Sequence, residues 1–244
     1  MEAVADARLA LLSGLIDHAP LFPPASLPLE AALAEDERAR TSSSSFVLGR
    51  LVWPASRISE VVGLERALSV VLDAPFDHDP RVEAVEAPPG ADLDVLVDLA
   101  PEVYAEVALD DGLEYRLAEV AEHAFRPKAR CTGGPEQLPW FLVECHAERL
   151  QYKLTGGLHH ALRTEDEHGF LNVLAAAVFG DEEEVLAEDD PASFRLDVED
   201  FWWRDRRVGA VEIAEVRRTR LRSIGSCSFF EPVGELEALG MLPL

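Results

Sequence analysis

The sequence predicts an α/β fold of the (β/α)8, TIM-type barrel class, irregular or incomplete in places, and three observations carry that reading. A chain of 244 residues with 48% hydrophobic content has the size at which such barrels form one domain. From residue 46 onward, short β-rich runs alternate with helical ones, the pattern of βαβ units and a mainly parallel sheet. Residues 1–244 contain no long linker, low-complexity tract or solenoid repeat that would divide them.

Taken in order, apolar residues from Ala3 to Ile16 recur at helical spacing, and the Pro-rich segment from Leu21 to Pro28 ends that stretch before a second helix from Leu29 to Arg40. Residues 1–45 therefore read as an amino-terminal helical cover. Strands are expected near Phe46 to Trp53, Leu68 to Asp73, Val82 to Ala87, Val103 to Leu109, Arg126 to Cys131, Gln151 to Thr155 and Arg222 to Ser228. Crossover helices are expected at Ser59 to Arg66, Asp92 to Leu99, Leu113 to His123, Pro135 to Glu148 and Gly169 to Phe179. Residues 193–208 break the rhythm and read as a hairpin insertion, with Phe201, Trp202 and Trp203 as packing residues. Helices from Ala210 to Leu221 and from Glu231 to Leu239 follow.

The balance of 46 acidic against 22 basic side chains, a formal charge of −24, repels phosphate backbones and anionic lipid surfaces, so neither nucleic acid nor membrane is an expected partner. No apolar run is long enough to span a bilayer. Three cysteines without a paired spacing, and an amino terminus without the features of an export signal, point to a reducing, cytoplasmic setting. No cofactor motif is found, so none is expected; the oligomeric state is left open.

Only two of the 22 basic residues are lysines, Lys128 and Lys153. Both precede Thr-Gly-Gly: residues 132–134 in one case, and Thr155, Gly156 and Gly157 in the other. Arginine replaces lysine wherever a generic cation suffices, but not where a nucleophilic amine, a titratable base or a compact point charge is needed. The plainer role, that of a strand-end partner to a buried carboxylate, stays open.

Strand periodicity places residues two apart on one face. Lys128 shares its face with Arg130, and Lys153 shares one with Gln151 and Thr155. On the preceding strand the apolar set Val103, Ala105, Val107 and Leu109 marks the helix side, which turns Glu106 inward. Glu106, Lys128, Arg130 and Lys153 are thus expected to line one cavity, with three cations facing one acid. That surplus predicts either a lysine held neutral by its neighbours or a bound anion.

Further candidates surround this group. His159 and His160 follow the second glycine pair at the pocket rim, as acid/base groups or substrate contacts, as structural residues, or as metal ligands with Asp110 and Glu231; no metal-ligand spacing supports the last, and no metal is expected. Asn172 stands in the first turn of a helix, with capping or packing as its alternative role. Ser226 and Ser228, with the helix start at Glu231 and Pro232, form a phosphate-binding candidate. Arg50 and Arg57 lie near another strand mouth, either to contact a carboxylate or as surface residues. Asp17, His18 and Phe22 are placed to cover a barrel end without an assigned mechanism, and Cys227 has no adjacent base to make it a nucleophile.

The run Lys153, Leu154, Thr155, Gly156, Gly157 resembles the strand motif that carries the Schiff-base lysine of deoxyribose-phosphate aldolase, a class I aldolase barrel. The resemblance spans about five residues and implies Lys153 as imine-forming amine, Lys128 as the neighbour that lowers its pKa and Glu106 as proton-transfer acid. Leu21 to Pro24 and Gly225 to Phe229 resemble segments of a bacterial protein family that suggests no activity. The expected ligand is a small molecule bearing a carbonyl or an anionic phosphate or carboxylate. It would be handled by a lyase through imine chemistry, by an isomerase or hydrolase that uses charged lysines as an anion clamp, or by a non-catalytic binding barrel.

Overall fold

A computed structural model describes residues 6–132 and 137–244. Its first elements are α1 (Ala7–Leu12), β1 (Ile16–His18), α2 (Leu29–Arg40), β2 (Leu48–Pro54), β3 (Leu68–Val71) and β4 (Val82–Ala87). Then come β5 (Glu102–Glu106), α3 (Leu113–Glu122), β6 (Arg126–Arg130), α4 (Gln137–Ala147), β7 (Tyr152–Thr155), α5 (Phe170–Phe179) and α6 (Glu182–Ala187). The chain ends with β8 (Phe194–Leu196), β9 (Asp200–Trp203), β10 (Arg206–Gly209), α7 (Ala210–Thr219), β11 (Leu221–Ser226) and α8 (Phe230–Ala238).

Strands β1 to β7 follow one another around a closed barrel, and β11 closes it between β7 and β1, every pairing being parallel. The seven expected strands are all present. The eighth, β1, lies inside the segment read as a helical cover, and that reading is corrected: α1 stops at Leu12 and Gly14 turns the chain at φ +58°. Ile16, Asp17 and His18 then enter the barrel opposite Ile224, Gly225 and Ser226. Three residues are too few to display a period of two, so the preceding helical spacing hid the strand.

The crossovers are uneven. Between β2 and β3 and between β4 and β5 the chain forms only 3-10 turns, Ala55–Val61 and Leu93–Leu96, where helices were expected. Ile58, Val61 and Val62 are β-branched and Gly63 sits at φ +84°, which works against extending the first turn. In the second, Leu96 is buried while Val95 and Val97 point to solvent, so no apolar stripe forms. These two crossovers pack over a separate core of Leu51, Trp53, Val61, Leu68, Val70, Val85 and Val103.

On the other side, α5 is buried on nearly every face. The expected hairpin is a three-stranded antiparallel sheet, β10-β9-β8. Phe201 and Trp203 from β9 lie 5.5 and 6.2 Å from the Phe179 ring. Each fully buried side chain of this size contributes about 1.5–3 kcal/mol. No helix among the described residues is long and apolar enough to cross a membrane.

Barrels of this class usually fill their interior with layers of Val, Ile and Leu. Here Asp17, Ser69, Glu86, Lys128, Lys153 and Ser223 are buried polar residues from six of the barrel strands. That substitution of charge for hydrocarbon positions the site.

Candidate functional site

Outward-facing Ala105, Ala129 and Leu154 pack into the core beneath the helices, which turns Glu106, Lys128, Arg130 and Lys153 inward. Pairing sets Glu106 opposite Lys128, Lys128 opposite Lys153, and Arg130 opposite Thr155. The expected convergence is observed, and two further acids join it. Lys153 Nζ donates to Asp17 Oδ2 at 2.5 Å and to Glu86 Oε1 at 2.7 Å. Lys128 Nζ donates to Glu86 Oε2 at 3.0 Å and reaches Glu106 Oε2 at 2.9 Å. Arg130 Nε donates to Glu106 Oε1 at 2.8 Å.

The result is a ladder of alternating charge, Asp17, Lys153, Glu86, Lys128, Glu106 and Arg130, running from the barrel interior to its opening. Ser69 Oγ donates to Glu86 Oε1 and Ser223 Oγ to Asp17 Oδ2, each at 2.7 Å, and the backbone N–H of Arg50 donates to Asp17 Oδ1 at 2.8 Å. Buried carboxylates are stable when their oxygens are occupied in this way. Two glycines make room: a Cβ on Gly49 would stand 2.5 Å from Asp17 Oδ1, and one on Gly225 2.8 Å from Thr155 Oγ1.

This geometry decides the charge states. Burial by itself would lower the pKa of Lys153, but Asp17 and Glu86 outweigh it and raise the pKa above the ordinary lysine value. Burial would raise Glu86 and Glu106, but the lysines, with Arg130 beside Glu106, hold both carboxyls below the usual range. The expectation that Lys128 and Arg130 keep Lys153 neutral is corrected, because Glu86 stands between the two ammonium groups.

At the carboxyl ends of the strands the ladder opens into a cavity of about 130 Å³, lined by Glu86, Glu106, Lys128, Arg130, Lys153 and Thr155, with Phe22, Pro88 and Pro89 from the loops above. Arg130 is the exposed end, with its side chain 59% accessible. Phe22 thus does help cover a barrel end, as its segment suggested.

Other candidates fall elsewhere. Gly156 and Gly157 adopt φ +68° and +65°, and a Cβ on Gly157 would sit 2.7 Å from the Cys131 carbonyl, so the close approach is to the end of β6 and not to a ligand. The first glycine pair lies outside the described residues. His160 Nδ1 meets Glu235 at 2.8 Å and His159 stands 4.0 Å from Glu231, which ties their loop to α8; neither lines the cavity. Asn172 is buried, accepts from the Arg163 N–H and donates to the Val185 and Glu188 carbonyls. It is a loop brace, because every bond is spent away from the pocket.

Arg50 belongs to the opposite, amino-terminal mouth of the barrel, where it pairs with Glu83 and Glu102. Ser226 Oγ donates to the Ser228 carbonyl, and at the start of α8 the Phe229 N–H and Ser228 Oγ face Glu35 Oε1 at 3.3 and 3.5 Å. The anion at that helix start is the chain's own carboxylate from α2, which corrects the phosphate reading of these serines. Among the described residues no group of three or more His, Cys, Asp or Glu side chains is placed to hold a metal ion.

Glu86 is the site residue that sequence reasoning did not single out, and Asp17 was given a place at a barrel end but no part in the lysine cluster. Asp17 was hidden with β1. Glu86 carried a signal, since an acid flanked by Ala84, Val85 and Ala87 in a buried strand requires a partner. Compared with protein-family models, curated proteins and solved structures, the chain matches none of them, which leaves the geometry of the barrel mouths as the basis for a functional reading.

Proposed function

We propose that this chain is a small-molecule enzyme of the isomerase or hydrolase kind that takes a phosphate- or carboxylate-bearing substrate at the carboxyl-terminal mouth and works with both lysines charged. The observation that supports this most is the alternating ladder ending at the opening of the cavity in a guanidinium that, among the described residues, spends one donor, on Glu106. A planar guanidinium with free donors suits bidentate capture of a substrate anion.

The chemistry follows from competition for Arg130. When a substrate anion draws that guanidinium away, Glu106 loses one of the two cations that hold its pKa down, and its basicity rises beside the bound molecule. Glu106 then abstracts a proton from the substrate or from attacking water. Lys128, 2.9 Å from Glu106, donates to the oxygen on which charge develops. Lys153 holds Asp17 and Glu86 in place as a fixed positive charge.

The test is calorimetric titration with a panel of sugar phosphates and small hydroxy and keto acids, followed by turnover assays. An anionic compound should bind, Arg130→Gln should weaken it about tenfold or more, and Glu106→Gln should keep binding while slowing turnover by about 10²–10⁴-fold. Binding indifferent to Arg130→Gln would overturn the proposal. So would borohydride trapping of a carbonyl adduct on Lys153, which would favour imine chemistry, or binding without turnover across the panel, which would favour a binding barrel.

A further inference from the structure

A second cavity, about 310 Å³, opens at the amino-terminal ends of the strands, on the far side of Asp17 from the ladder. Arg50, Arg217, Arg222, Tyr104 and Ser13 are among its lining residues. One carboxylate, Glu102, serves most of the cations here: Arg50 Nη1 at 2.8 Å, Arg222 Nη2 at 2.9 Å and Arg126 Nη2 at 3.4 Å, and it also accepts from Tyr104 Oη at 2.7 Å. Glu83 adds a second, half-exposed carboxylate, on Arg50. Asp17 is committed to Lys153 and Ser223.

Arg217 has no carboxylate partner among the described residues. Its donors go to the backbone carbonyls of Leu11 at 3.2 Å, Ser13 at 3.3 Å and Arg222 at 2.9 Å. The Nε atoms of Arg217 and Arg222 are buried without any hydrogen-bond partner among the described residues. Burial first, and then the neighbouring Arg222, pull the Arg217 pKa down to about 10 against the opposing effect of Asp17. Of the groups that line this cavity, three guanidiniums, Arg50, Arg217 and Arg222, face two carboxylates, Asp17 and Glu83, and Asp17 is already paired with Lys153, within a chain whose net charge is −24.

We infer that this amino-terminal mouth is an anion site, distinct from the substrate mouth, which takes a phosphate group through Arg217, Arg222 and Arg50. A lining in which the cations outnumber the acids suits an anion, and the planar fork of each guanidinium can donate to two oxygens of a tetrahedral phosphate at once. The size of the cavity admits a phosphate with a small organic body attached.

The test uses inorganic phosphate on the Arg130→Gln chain, so that the other mouth does not contribute. Calorimetry should show one site, weakened about tenfold or more by adding Arg222→Gln and less by adding Arg222→Lys. In the unaltered chain, the Nε–Hε resonances of Arg217 and Arg222 should shift with phosphate whatever the variants do to folding. Absence of binding, binding indifferent to Arg222→Gln, or unmoved Nε–Hε resonances would overturn the inference.

Discussion

The two mouths of the barrel are both lined with charge, yet they treat it in opposite ways. At the carboxyl-terminal mouth each buried ammonium lies between two carboxylates, and Lys153 is more firmly protonated for it. At the amino-terminal mouth three guanidiniums divide Glu102, and Arg217 has, among the described residues, only carbonyl dipoles for hydrogen-bond partners. Local stoichiometry, not net charge, sets what each mouth can bind: a chain with 46 acids and 22 bases still builds a cationic cavity. Pairing fixes the buried charges in place, whereas guanidinium donors left free among the described residues, on Arg130 at one mouth and on Arg217 and Arg222 at the other, are open to a ligand.

The sharpest way to break this comparison is to remove one acid from each mouth. Glu86→Gln takes from each of two buried ammonium groups one of its two carboxylates and should lower stability by about 3–5 kcal/mol, while Glu83→Gln, at a half-exposed pair, should cost about 0–1 kcal/mol. Urea denaturation of the two variants measures both, and equal losses would mean that the ladder is not the stabilising element.

Acid titration sharpens the same contrast. The carboxyls of Glu86, Glu102 and Glu106 have folded pKa values below their ordinary 4.5. Their stabilisation is therefore complete above about pH 4.5 and is lost as pH falls through the folded values. For Glu102 that loss centres at about 2. Lys153 has the opposite sign, its contribution being complete below its ordinary 10.5 and lost as pH rises through its higher folded value. Denaturation midpoints should thus stay flat in the neutral range and fall on the acid side; in Glu102→Gln the acid-side fall should be shallower.

Much of this arrangement was legible in the sequence, and the failures have physical causes. Alternation located seven barrel strands because each has apolar residues facing the helices, and the same parity turned Glu106, Lys128, Arg130 and Lys153 inward. The scarcity of lysine marked both members of the ladder. What parity does not give is register between strands, so Glu86, two strands away from Lys128, was not seen as its partner. The surplus of cations inferred without it led to the choice between a neutral lysine and a bound anion. Likewise Glu35 at the start of α8 and Arg50 at the opposite mouth depend on contacts between segments 33 or more residues apart, which local patterns do not encode.

Smaller effects probe the space around the ladder. Gly49→Ala should cost about 1–3 kcal/mol, since its Cβ would meet Asp17 Oδ1 at 2.5 Å and the carbonyls of Gly14 and Ile16 at 3.1 Å. Gly234→Ala, in α8 with nothing within 4 Å of the added carbon, should instead stabilise by about 0.4–1 kcal/mol. Thermal denaturation distinguishes the signs, and a neutral Gly49→Ala would show that Asp17 is not held where the ladder needs it.

The central claim, that the lysines act as fixed charges, is most directly tested by their own titration. Because Lys128 and Lys153 are the only lysines, selective ¹³Cε labelling gives two side-chain resonances, assigned by Lys128→Met. The Lys153 resonance should keep its ammonium shift up to and beyond pH 10.5, the ordinary lysine value. A Lys153 titration midpoint near neutral pH would contradict the account and return the site to amine chemistry.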